Sequence, residues 1–99
     1  MTNSAPKHLS REAKSWWTKI TDEFELDDNS ARLLLGQALE AFDRMREAQA
    51  ILGKEGLTTT DRFGQSRGHP MLLTERDSRN AMLKCLKGLN LDITPAGPR

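Results

Sequence analysis

The sequence predicts a mainly α fold: a helical hairpin with one long central helix, followed by a small β-hairpin and a C-terminal helix. Three observations carry this. Apolar residues recur at helical spacing over two long segments, a β-branched run with nearby glycines interrupts them at residues 57–68, and a third helical pattern follows Pro70. The 99 residues and 36% hydrophobic content suit one small domain, and a 29% charged content with mean hydropathy −0.64 makes it polar for its size.

Ser10 is a good N-cap for the first helix, and Glu12 stands in the first turn, where the helix dipole favours an anion. Ala13, Trp16, Trp17, Ile20 and Phe24 then form one apolar stripe over about four turns. Trp16 and Trp17 are adjacent, so they point about 100° apart and cannot both hold the centre of that stripe. Both are expected to be core or subunit-interface anchors, with stacking on nucleic-acid bases as the alternative. Asp27, Asp28, Asn29 and Ser30 offer caps for a second helix. The link is short, so the two helices are neighbours.

The second helix is expected from about Ser30 to Lys54, with Gly56 as its stop. Leu35, Ala38, Phe42, Met45, Gln49 and Leu52 alternate in spacings of four and three, and Leu34, Ala41, Ala48 and Ile51 widen the stripe. At 1.5 Å per residue this is a rod of ~37 Å, against a radius of gyration of roughly 13 Å for a compact 100-residue domain. One chain has too little apolar surface to cover it. A helical hairpin or an oligomer is therefore expected, with Trp16, Trp17, Leu35, Phe42, Met45 and Leu52 as the subunit contacts.

Leu57-Thr58-Thr59-Thr60, Asp61-Arg62-Phe63-Gly64-Gln65 and Ser66-Arg67-Gly68 read as a hairpin, with Gly64 able to take positive φ at the turn. Pro70 suits the first position of the third helix, whose apolar face is expected from Leu73, Ala81, Met82, Cys85, Leu86 and Leu89, with Leu72 close by. Arg76, Arg79, Lys84 and Lys87 lie mostly outside that face, and Gly88 and Asn90 weaken its end. Residues 94–99 contain two prolines and no core residue, which predicts disorder. The expected organisation is an arm over 1–9, a helical oligomerisation domain over 10–91 and a disordered tail over 92–99.

The 15 Lys and Arg nearly balance the 14 Asp and Glu, which argues against a dedicated nucleic-acid tail. The distribution is uneven: residues 25–56 carry four basic and seven acidic groups, and residues 57–99 carry seven and four. An anion-binding face should thus come from the ends. Lys7, His8, Arg11 and Lys14 form one basic group, and Arg62 and Arg67, with His69 just beyond, flank the hairpin turn, where a guanidinium can meet a phosphate without disturbing a core. Solvated faces, with Asp61 pairing locally, account for the same residues.

No catalytic constellation is apparent. The sequence lacks a Gly-rich phosphate loop, a Ser or Cys with a nearby base, and any tyrosine, so neither enzyme activity nor a cofactor is expected. A single cysteine, Cys85, and two distant histidines make no zinc-like cluster, and Asp27 with Asp28 is better explained by capping. No apolar run is long enough for a membrane span and the start has no apolar stretch, which predicts a cytoplasmic protein.

The ordered motifs together carry a resemblance. They are Ala5-Pro6-Lys7-His8-Leu9-Ser10 leading into Ala13-Lys14-Ser15-Trp16-Trp17, the Phe24-Glu25-Leu26-Asp27 step into a long helix, and above all Gly56-Leu57-Thr58-Thr59-Thr60-Asp61-Arg62-Phe63-Gly64-Gln65. His69-Pro70, Glu75-Arg76-Asp77-Ser78-Arg79 and the Met82 to Leu91 segment continue the series. This order is similar to that of the small terminase subunits of tailed bacteriophages and prophages, over most of the chain. The resemblance implies a non-catalytic, ring-shaped homo-oligomer in the cytoplasm of the bacterial host. It also implies recognition of double-stranded viral DNA for packaging and regulation of the ATPase and nuclease of the large terminase subunit. Lys7, Arg11, Lys14, Arg62 and Arg67 are the expected DNA contacts, made to phosphates because no recognition helix is identifiable. Two alternatives stay open: a helix-turn-helix transcriptional regulator using the first two helices, and an adaptor that binds only protein.

Overall fold

A computed structural model describes residues 4–90, in the order α1 (Arg11–Phe24), α2 (Asn29–Glu55), β1 (Thr58–Thr60), β2 (Ser66–Gly68) and α3 (Met71–Gly88). The tail expected over 92–99 lies outside the described residues. Local chemistry sets the boundaries. Ser10 accepts the Ala13 N–H at 3.0 Å and starts α1, and Glu25 ends it in the left-handed region at φ 51°. Asp28 starts α2 by accepting from the Ser30 hydroxyl at 2.7 Å and the Ser30 N–H at 3.4 Å. These bonds hold its carboxyl below the usual range. Gly56, at φ 87°, closes α2 by donating to the Leu52 carbonyl.

The principal hairpin is formed by α2 and α3, which returns antiparallel along it. Gln49 donates to Glu75 at 3.1 Å near one end, and a Cβ on Gly88 would lie 3.7 Å from Leu34 near the other. α1 lies along the other side of α2, where Trp17 and Pro6 sit 3.9 Å from the position a Cβ on Gly36 would take. Leu9, Ala13 and Trp17 meet Leu35, Leu39, Phe42 and Met45 in the core, with Met82, Leu86 and Leu89 of α3 packed against it. The shape is elongated, with extents of 56 × 36 × 19 Å and a radius of gyration of 17.0 Å.

One sequence expectation, the apolar face of α3, changes, and most of the residues expected at subunit contacts pack within one chain. Trp17, Leu35, Phe42, Met45 and Leu52, expected at subunit contacts, are buried inside the single chain, because α1 and α3 together cover the broad stripe of α2. Of that set only Trp16 is substantially exposed, at 43%. In α3, Leu72, Leu73 and Ala81 face away from the core. Leu73 and Met82 are nine residues apart, two and a half helical turns, so when Met82 packs inward Leu73 must point to solvent. The inward face uses the small Ser78 instead, which is buried.

Candidate nucleic-acid interface

The hairpin projects from the junction of α2 and α3, and its base is tied down by His69. The His69 N–H donates to the Leu57 carbonyl at 2.8 Å, and its Nδ1 accepts the Met71 N–H at 3.0 Å, taking one of the unpaired donors of the first turn of α3. With Nδ1 accepting, Nε2 carries the proton and donates to Glu55 at 2.7 Å. One buried imidazole thus joins the end of α2, the hairpin and the start of α3.

Three β-branched residues form β1, which pairs antiparallel with β2 in the register Thr58 with Gly68, Thr59 with Arg67 and Thr60 with Ser66. Asp61 organises the tip. Its Oδ1 accepts from the N–H groups of Phe63 at 2.8 Å and Gln65 at 2.9 Å, while its own N–H donates to the Gln65 carbonyl at 2.9 Å. Gly64 supplies the positive φ, 80°, that reverses the chain. Arg67 donates from Nε to Asp61 Oδ2 at 2.8 Å, and this guanidinium, ahead of the two backbone donors, holds the Asp61 carboxyl below its ordinary range. The Arg62 guanidinium lies 5.1 Å from the centroid of the Phe63 ring.

The second basic group lies at the entrance to α1. His8 pairs with Glu40 at 2.7 Å, the Ser10 N–H donates to Asp43 at 2.8 Å, and Arg46 pairs with Glu12 at 3.1 Å. Residues 40, 43 and 46 share one face of α2, where Glu40 and Asp43 fasten residues 8 and 10 and Arg46 fastens Glu12. Lys7, Arg11 and Lys14 are exposed beside these contacts. The fold brings Lys7, Arg11 and Lys14 into one group and Arg62 with Arg67 into another. It does not merge them: Arg46 and Glu55 are nine residues apart on α2, an axial separation of about 14 Å.

Two features went unread in the sequence. Phe63 is 73% exposed at the tip of the hairpin, although turn position and apolarity together were signal enough to single it out. Trp16, Ile20, Ala38, Leu39, Phe42, Met82 and Leu86 line an apolar groove of about 240 Å³, a product of three helices that no single stripe reveals. Among the described residues, no group of three or more His, Cys, Asp or Glu side chains is placed to hold a metal ion, and no helix is long and apolar enough to cross a membrane.

Among known proteins, a family model described as phage terminase, small subunit, matches residues 13–96 of the chain. No curated protein and no solved structure matches it.

Proposed function

Because the chain belongs to the phage terminase small subunit family and so has a packaging-related role, we propose that it recognises double-stranded viral DNA and regulates the large terminase subunit. In this reading the protein is itself non-catalytic, acts in the cytoplasm of the bacterial host, and works as a ring-shaped homo-oligomer. The observation that carries the DNA assignment is the hairpin tip, where a hydrogen-bonded turn presents Arg62 and Arg67 away from the core. Lys7, Arg11 and Lys14 supply a second set of phosphate contacts. Repetition around an oligomer multiplies both, so a chain of formal net charge +1 still gains useful affinity.

Exposed Trp16, on the wall of the apolar groove, is the subunit contact this reading favours. The regulator alternative is weakened by α2, which would be its reading helix but buries Leu35, Leu39, Phe42 and Met45 against its own chain.

The test is DNA binding across a salt series. Each lost phosphate contact lowers the slope of log affinity against log salt by about 0.9, so Arg62→Ala with Arg67→Ala should weaken binding and flatten the slope by about 2 per engaged hairpin. An unchanged affinity and slope sinks the hairpin assignment. Native mass by light scattering tests the oligomer, and a monomer at micromolar concentration sinks that part.

A further inference from the structure

The arginines account for phosphate affinity but leave unexplained why a phenylalanine stands at the outermost point of the hairpin. Phe63 is held there by the backbone of the turn, since Asp61 accepts from both its N–H and that of Gln65, and the Gly64 N–H returns to the Asp61 carbonyl at 3.0 Å. The backbone that carries the ring is therefore ordered, and little backbone freedom has to be lost when it meets a partner.

The surroundings of the ring specify that partner. An apolar anchor for a protein pocket sits among other apolar groups that exclude water. Around Phe63 the hairpin offers Thr60, Gln65 and Ser66, all exposed, and the guanidinium groups of Arg62 and Arg67; the nearest apolar neighbour in sequence is Leu57, at the base. A lone aromatic flanked by cations and hydrogen-bonding side chains matches a base step flanked by phosphates. Apolar side chains inserted from the minor groove unstack such steps and bend the duplex.

We propose that Phe63 is a base-contacting wedge, which inserts at a step of duplex DNA while Arg62 and Arg67 hold the phosphates on either side. This rests on the DNA-binding reading above and adds what it lacks, a contact to bases. Arg62, now stacked on the ring, moves with it to the DNA surface, so the apolar face is covered by a cation before binding and by a base after it.

The experiment uses the full chain and a duplex of about 30 base pairs with a central TA step, the step most easily unstacked, carrying 2-aminopurine there and a dye pair at its ends. Wild-type protein should raise 2-aminopurine fluorescence and shorten the end-to-end distance. Phe63→Ala should lower affinity about tenfold, the effect of losing one base stack, and abolish both signals while leaving the salt slope unchanged. Phe63→Trp should retain them. Since Phe63 lies outside the core, far-UV circular dichroism should show both variants folded. If Phe63→Ala binds and bends DNA like wild type, the wedge is refuted and phosphate contact by the arginines stands. If it does so while losing affinity for the large terminase subunit, Phe63 is a protein anchor and the wedge is likewise refuted. If the wild-type chain binds no DNA even at low salt, the DNA-binding reading fails and the wedge with it.

Discussion

Replacing each of the two adjacent tryptophans by alanine separates the core from the proposed interface. Trp17 is 4% exposed and packs in the cluster formed by Leu9, Leu35, Leu39 and Phe42, so Trp17→Ala removes a buried aromatic and leaves a cavity. Such truncations cost about 3–5 kcal/mol. A domain of this size has a total of about 5–15 kcal/mol at its disposal, so the variant should be partly unfolded or close to it. Trp16 is 43% exposed on the wall of an open groove, where truncation leaves no enclosed void, and its cation–π contact to Lys19 at 4.9 Å is worth about 0.5–1 kcal/mol. Trp16→Ala should cost about 1 kcal/mol in the isolated chain. Urea denaturation followed by far-UV circular dichroism measures both, at one fixed protein concentration because self-association adds stability that depends on it. With a difference of about 2–4 kcal/mol and slopes of about 1–3 kcal/mol per molar urea, the Trp17 variant should unfold at least about 0.7 M below the Trp16 variant. Light scattering on the same samples should show a folded Trp16→Ala protein with reduced native mass. Equal destabilisation by the two substitutions would refute the assignment of Trp17 to the core and Trp16 to the surface.

Three other outcomes are expected. His69→Ala should cost about 2 kcal/mol, from the lost cap of α3, the bond to Glu55 and the buried ring, and a midpoint indistinguishable from wild type in urea would show that the clasp is idle. The Asp61 carboxyl is held below its ordinary value of 3.8, chiefly by Arg67, so its stabilisation of the turn is complete above about pH 4 and is lost as pH falls through the lower folded-state value. The Phe63 and Gln65 amide resonances should therefore shift together with a midpoint under 3.8, and a midpoint above that would contradict the bonding seen at the tip. Gly53 lies in the exposed last part of α2, with no heavy atom within 4 Å of the position an added Cβ would take. Gly53→Ala should accordingly raise stability by about 0.5–1 kcal/mol, read as a higher melting temperature; a fall would show that the end of α2 is not helical in solution.

The hairpin illustrates how far the sequence reached into the site. Thr58-Thr59-Thr60, Gly64 and the flanking arginines announced a strand, a turn and two exposed cations, all of which depend on the residues' own backbone preferences. The local pairing of Asp61 with an arginine was open to the sequence, and Arg67 makes it; that the same carboxylate also holds the Phe63 N–H follows from the turn's three-dimensional closure and is invisible in residue order.

By itself the sequence determined the element order and nearly all the boundaries, because capping by Ser10 and Asp28, the stop at Gly56 and the turn at Gly64 act over two to four residues. It also bounded the apolar stripe of α2, since a 3.6-residue period is a property of one helix. Tertiary structure decided which partners use that stripe: α3 and α1 cover it within one chain, burying Trp17 and leaving Trp16 on a groove. It also turned Leu73 outward and Met82 inward. The physical reason is that burial belongs to pairs of faces distant along the chain. The rotation of a helix about its axis, 100° between neighbouring residues, is set by what packs against it and not by its own composition.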